Sequence, residues 1–212
     1  KILVELIVPN YSPAAKKSAD GLQELRANTL DFDIEKSKTE IKLDGNSYKY
    51  VTNLKIKVPR ETNLRLDTYR DGVIRVQDVD GKFDVRSHNC DIHLNSVSGS
   101  GEVWSYNGNL TADFVEVAND QPLELETYNG SIDLRLPKDT QANLKYRSGS
   151  GKVLTDLEVE LAKDPVQSVD ENQIGFDKFL RGTLNGGGPE LKLETEKGDI
   201  QFRRRMNETF SR

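Results

Sequence analysis

Rings recur at intervals of 19, 18 and 22 residues along this 212-residue chain. Tyr69, His88, Tyr106 and Tyr128 each follow a Thr or Ser and each stand at a turn, Tyr69 before Arg70-Asp71-Gly72 and the others before Asn89, Asn107 and Asn129. Aromatic side chains in one exposed line make a surface on which sugars stack, and exposed apolar patches mark binding sites. The same rings could instead stack on one another and stiffen a corner, at roughly 0.5–1.5 kcal/mol per pair. Trp104, the only tryptophan, stands two residues before Tyr106 and is the best single anchor. The column it belongs to reads Asp67, Arg86, Trp104, Glu126, Lys145. Alternating charges there predict cross-strand ion pairs and an Arg86–Trp104 cation–π contact. A solvated ion-pair ladder of little energetic weight is the plainer reading.

Catalytic chemistry finds less to work with. Polysaccharide hydrolysis or elimination needs acids and bases converging on one groove. The two histidines, His88 and His93, fall on opposite sides of a turn, with Asp78, Asp80, Asp84 and Asp91 nearby. Asp78-Val79-Asp80-Gly81 lacks the remaining ligands of a calcium loop and reads as a turn. Cys90 is alone, which excludes an intramolecular disulfide and a cysteine zinc cage. The glycine run 186–188 lacks the Lys-Ser/Thr and following helix of a phosphate loop and reads as a flexible corner. No catalytic residue, metal site or cofactor is expected. A polysaccharide-active enzyme remains a third reading that requires two close carboxylates in a groove.

The ring column implies an element that repeats. The segments LRLDTYRDGVIRV (64–76), FDVRSHNCDIHL (83–94), GEVWSYNGNLTA (101–112), LELETYNGSIDL (123–134), ANLKYRSGSGKV (142–153) and LKLETEKGDIQF (191–202) share one pattern. Each has an alternating apolar strand, a corner and a second apolar pair, the mark of a stacked repeat. The strand centres Leu66, Val85, Val103, Leu125, Leu144 and Leu193 are separated by 19, 18, 22, 19 and 49 residues. Such spacing suits the coils of a β-solenoid stacked in sequence order, with the 49-residue step holding about one extra coil and a loop. The period of two turns Leu64-Leu66-Thr68, Phe83-Val85-Ser87, Val103-Ser105, Leu123-Leu125-Thr127 and Leu191-Leu193-Thr195 inward. Ile74, Ile92, Leu110, Ile132, Val153 and Ile200 return to the core after the corner. Asn107-Gly108 and Asn129-Gly130 signal positive φ, and Gly149 and Gly198 hold the same place. Cys90 occupies that position in its repeat, a departure that Asn89 would relieve by turning left-handed. In the fifth repeat the ring position falls on Arg147, and in the sixth on Glu196.

Residues 1–49 form an amino-terminal cap with initial strands, continuous with a repeat domain at 50–204 and followed by a polar tail at 205–212. Residues 2–8 read as a strand, and Ser12-Pro13 predicts a short helix through about Ala19. The alternating stretches 30–36, 39–43 and 48–58 read as the first rungs. An insertion is expected near 157–186.

The bulk properties narrow the partners. A net charge of −5 argues against nucleic acid or an anionic membrane as the main partner. Hydrophobic residues make up only 35%, yet they alternate strictly, which fits thin strands rather than disorder. No run approaches the ~18 apolar residues of a spanning helix. The start at Lys1, directly in strand-like residues, suggests a trimmed upstream signal segment.

The Val58-Pro59 step, the successive T/S-x-x-G-x-I rungs, Leu136-Pro137-Lys138-Asp139-Thr140 and the closing stretch 181–204 together resemble a bacterial β-strand-repeat family named putative adhesin, a domain of unknown function. The resemblance covers roughly residues 50–204. It implies an exported, single-stranded parallel β-helix, with right-handed coils expected, placed in the periplasm or at the cell surface. The function expected is non-catalytic binding of glycan or another cell-envelope component along Tyr69, His88, Trp104, Tyr106 and Tyr128. A structural spacer or scaffold without a small-molecule ligand is the alternative, and the oligomeric state stays open.

Overall fold

The structure, a computed structural model, describes residues 3–7, 32–37, 41–45, 53–162 and 179–206. The helix expected after Ser12, the loop 163–173 and the tail beyond Met206 lie outside the described residues. Every described element is a strand. The chain divides into two compact units, residues 1–59 and 60–212.

In the first unit, β1 (Leu3–Ile7) pairs antiparallel with β4 (Asn53–Lys57), and β2 (Phe32–Lys36) with β3 (Ile41–Gly45). The stretches read as first rungs of the solenoid are therefore antiparallel pairs. Chain geometry explains the β2–β3 pair, because only Ser37–Glu40 join the two strands and a parallel crossover needs a dozen or more residues.

The second unit is a solenoid-like stack. Its strands are β5 (Leu64–Thr68), β6 (Gly72–Gln77), β7 (Asp80–Ser87), β8 (Cys90–Ser105), β9 (Leu110–Val117), β10 (Leu123–Thr127) and β11 (Ile132–Leu136). They continue as β12 (Ala142–Ser148), β13 (Val153–Thr155), β14 (Glu160–Leu161), β15 (Leu180–Leu184), β16 (Glu190–Thr195) and β17 (Ile200–Arg204). Equivalent strands of successive rungs pair in parallel and in register. Leu64 faces Phe83, Phe83 faces Gly101, and Gly101 faces Leu123. On the other side of the corner Ile74 faces Ile92, Ile92 faces Leu110, and Leu110 faces Ile132. A register shift between Leu94 and Val97, where Ser96 adopts φ 50°, lets β8 serve two rungs without a break.

The inward positions expected from alternation are buried from the second rung onward. Phe83, Ile92, Leu94, Phe114, Leu134 and Leu193 are wholly inaccessible. Phe83 and Phe114 meet edge to face at 6.4 Å. Val153 is half-buried, as befits a rung with a neighbour on one side only.

Rung order departs from sequence order. After β10 and β11 the next rung in space is the last in sequence: β16 lies between β10 and β12, and β17 between β11 and β13. The expectation of a strictly sequential stack is overturned. The 49-residue step seen in the sequence is a detour, in which the chain builds the outer rung β12–β13, passes through β14 and β15, and returns to fill the place it left. β15 runs antiparallel along the far side of β12, and β14 pairs antiparallel with β15.

Candidate functional site

The ring column stands on a corner built from three side-chain ladders. In the first, the corner hydroxyls close their own turns, tie them to the rung behind, or do both. Ser87, Ser105 and Ser148 Oγ accept the N–H three residues on, from Cys90 (2.7 Å), Gly108 (2.9 Å) and Gly151 (2.8 Å). The hydroxyls of Ser105, Thr127, Thr195 and Ser148 donate across the stack to the carbonyls of Cys90 (3.1 Å), Gly108 (2.8 Å), Gly130 (2.7 Å) and Gly198 (2.8 Å). That approach leaves no space for a side chain. A Cβ on Gly108, Gly130, Gly198 or Gly151 would collide with the carbonyl of the rung behind it. Glycine is demanded here by proximity and not by positive φ, since none of these four has it. The fifth repeat's glycine in this column is Gly151, not Gly149.

Cys90 escapes the collision for a local reason. The first repeat carries one more residue in its corner, Arg70-Asp71-Gly72, and the thiol fills the extra space. Its Sγ lies 3.3 Å from Thr68 Oγ1 and donates to the Arg70 carbonyl at 3.0 Å. Asn89 needs no left-handed conformation.

The second ladder joins Asn129 Nδ2 to Asn107 Oδ1 and Asn107 Nδ2 to Asn89 Oδ1, each at 2.6 Å. In the third, the side-chain oxygens of Asp91, Asn109, Ser131 and Asp199 accept the backbone N–H of Asn109, Ser131, Asp199 and Lys152 in turn. These bonds fix the corner residues and hence the rings between them.

Tyr69, His88, Tyr106 and Tyr128 form one continuous stack. Their centroids are 4.7, 5.0 and 5.0 Å apart, with interplanar angles of 14°, 9° and 4°. Neighbouring faces are turned toward each other, so the column offers solvent its edges. Tyr69 is 72% exposed and ends the stack, while Tyr106 and Tyr128 are 36% and 41% exposed. Lys197 Nζ sits 5.5 Å from the Tyr128 centroid, and Trp104 tilts against Tyr106 at 6.5 Å. All five expected site residues therefore lie together. Arg147 is not in this column: it pairs in register with Glu194, and Gly149 donates its N–H to Thr195, one rung from the ring position.

The charged column is also re-sorted. Arg86 binds Asp84 and Glu102, each at 3.0 Å, in place of the expected cation–π contact with Trp104. Coulombic attraction from Glu102 and Asp84 raises the Arg86 pKa. Arg60 lies 2.6 Å from Asp80 and its hydrogen bond lowers that carboxyl. Asp91 is spent on the third ladder. His93 lies across the corner from His88, in register with Arg75 and Thr111.

The model of the Toastrack DUF4097 family matches residues 63–203. The chain belongs to this family. No curated protein matches this Toastrack chain. A solved structure from Clostridium sporogenes, titled a putative cell adhesion protein, is similar at 14% identity with a TM-score of 0.40. The similarity spans 82% of this chain and 76% of that one.

One cluster of the Toastrack domain escapes a residue-by-residue reading. Lys192 reaches Glu194 (3.0 Å) and Glu126 (3.2 Å), while Arg147 reaches Glu194 (2.6 Å) and Glu196 (3.2 Å). The Phe179 ring lies over Lys145, Arg147 and Lys192 at 4.7, 5.6 and 5.9 Å. Burial pushes the Glu194 carboxyl up, but hydrogen bonds and charges of Arg147 and Lys192 outweigh it and hold the group below its ordinary 4.5. The signal was the alternating charge, but the partners come from strands placed side by side only by the rung exchange. Below this cluster a groove of about 630 Å³ is lined mainly by Val153, Leu157, Val159, Leu161, Leu180 and Phe202. Among the described residues no helix is long and apolar enough to cross a membrane.

Proposed function

We propose that this chain is a non-catalytic binding module of the bacterial cell envelope, exported to the periplasm or cell surface, which engages glycan or another envelope component along its corner. The observation that carries the reading is the exposed stack Tyr69–His88–Tyr106–Tyr128 with Trp104 beside it. Because the ring faces are shared, ligand contact is made by ring edges, by the Asn89–Asn107–Asn129 amides and by the open outer face of Tyr69. Repeated weak contacts at one spacing suit a repeating polymer and add through avidity. The non-catalytic part is supported by three of the four carboxylates weighed as acids or bases: Asp80 and Asp84 are held by arginines and Asp91 by backbone and side-chain N–H groups. A single-stranded, right-handed β-helix with residues 1–49 as its amino-terminal cap belongs to the same proposal.

Ring-on-ring stacking favours a second reading, in which the column stiffens a spacer. Binding to a glycan array by the wild type and by a folded Tyr69→Ala/Tyr106→Ala/Tyr128→Ala variant separates the two. Selective signal lost in the variant supports the binding ladder. Absence of signal in both, with a lowered melting temperature in the variant, supports the spacer.

A further inference from the structure

The segment 190–204 fills a slot that the rest of the chain has already walled. On one side it pairs with β10 from Leu191 to Thr195 and with β11 from Ile200 to Arg204. On the other it pairs with β12 from Glu190 to Thr195 and with β13 from Ile200 to Phe202. It brings the complete corner code with it: Thr195 bonds the Gly130 carbonyl, Gly198 packs against that same carbonyl, and Asp199 receives the Lys152 N–H. Arg203, and Arg205 just past its end, anchor it to Asp133 (2.7 Å) and Asp113 (2.9 Å). Nearly everything that holds the segment is specified by the slot and not by the covalent link leading into it.

That link is a tight turn. β15 runs along one face of β12 and β16 along the other, so the residues between Leu184 and Glu190 must cross the start of β12. Asn185, Gly186 and Gly187 all take left-handed backbone, with φ of 48°, 85° and 88°. A Cβ on Gly188 would lie 2.6 Å from the Gln141 carbonyl. Asn185 Nδ2 holds the turn shut on the carbonyls of Lys138 (3.1 Å) and Thr140 (2.8 Å). A short hinge with a non-glycine residue held left-handed is relieved when it straightens, and straightening sends the following strand to another molecule.

We propose that the slot between β10–β11 and β12–β13 is a strand-acceptor site, filled either by the chain's own 190–204 or by the same segment of a second copy. The second arrangement is a reciprocally swapped dimer with 185–189 as its hinge. It keeps every rung-to-rung bond of the monomer and changes only the hinge.

Leu154 and Gln201 are in-register neighbours across the slot, one on the acceptor and one on the inserted rung, at a separation that a disulfide spans. A Leu154→Cys chain and a Gln201→Cys chain are unfolded together, refolded at rising protein concentration and oxidised. A covalent heterodimer that grows with concentration is expected. Gly186→Ala in both chains, at a position with open space but φ 85°, strains the closed turn without any steric clash. It should raise the heterodimer share about tenfold, as expected for a penalty on left-handed backbone of this size. The Leu154→Cys/Gln201→Cys double variant should close its disulfide within one chain at low concentration. Failure of that closure overturns the inserted order and the proposal with it. Closure in the double variant without any interchain bond, in either hinge background, leaves the slot strictly intramolecular and also overturns the proposal.

Discussion

The rungs from 64 to 136 and those from 142 to 204 use the same corner code, yet they assemble in opposite ways. The earlier ones stack in the order in which they are written, each beside its sequence neighbour. Among the later ones, the last written lies inside and the one before it lies outside. The local code, an inward hydroxyl followed three residues on by a corner glycine, decides what a rung looks like and which columns it joins. It cannot decide which rung sits beside which, because every edge offers the same bonds. Order comes from what is specific to the connections. Link length alone does not decide it: residues 118–122 lead from β9 to an adjacent rung and residues 137–141, equally few, lead from β11 to a rung one place further on, while the long detour after Thr155 lets the last rung return to the gap.

The largest effect comes from removing the inserted rung. A chain ending at Pro189 leaves β10–β11 and β12–β13 with facing unpaired edges, and it should lose its cooperative thermal transition by circular dichroism. A normal melt from that chain would show that the sequential rungs need no partner on this side. Next is the glycine column. Gly108→Ala places a Cβ against the Cys90 carbonyl and should cost about 3 kcal/mol in denaturant unfolding. Gly72→Ala meets only Cys90 Sγ at 3.6 Å and should stay within about 1 kcal/mol. Equal costs would refute close approach as the reason for glycine.

The ring stack grades the sequential region internally. Tyr106→Ala removes two stacked neighbours and should cost about 1–3 kcal/mol, against about 0.5–1.5 kcal/mol for Tyr69→Ala, which removes one. The smallest effect probes the exchanged region through pH. The Glu194 carboxyl is held below its unfolded value, so its contribution is complete above about pH 4.5 and is lost as pH falls through the lower folded value. Glu194→Gln should flatten that part of the acid limb in melting temperature against pH. An unchanged acid limb would assign the loss to other carboxylates.

The columns were legible because alternation and corner chemistry are local. Phe83, Val85 and Ser87 read as inward and are buried, and Tyr69, His88, Tyr106 and Tyr128 read as one line and stack. The fifth repeat misled because Tyr146 takes an inward position where other rungs carry an aliphatic, which shifted the corner by two residues and moved Arg147 into the wrong column. Ring orientation was not readable, since a column of aromatics has the same spacing whether faces meet each other or meet solvent. The exchange of rungs was invisible for a deeper reason: a repeat makes its members interchangeable, and interchangeable parts carry no address. The Phe179 cluster followed from that exchange and was hidden with it.

Chain synthesis proceeds from the amino end, so residues 64–155 are made before any part of 190–204 exists. The stack is therefore completed from its middle and not from its tip. A product broken off before residue 190 is exposed on two strand edges at once, a state that proteases and chaperones meet as unfinished. The inserted rung closes both edges in one step: neither face of the gap is paired until this later segment has arrived.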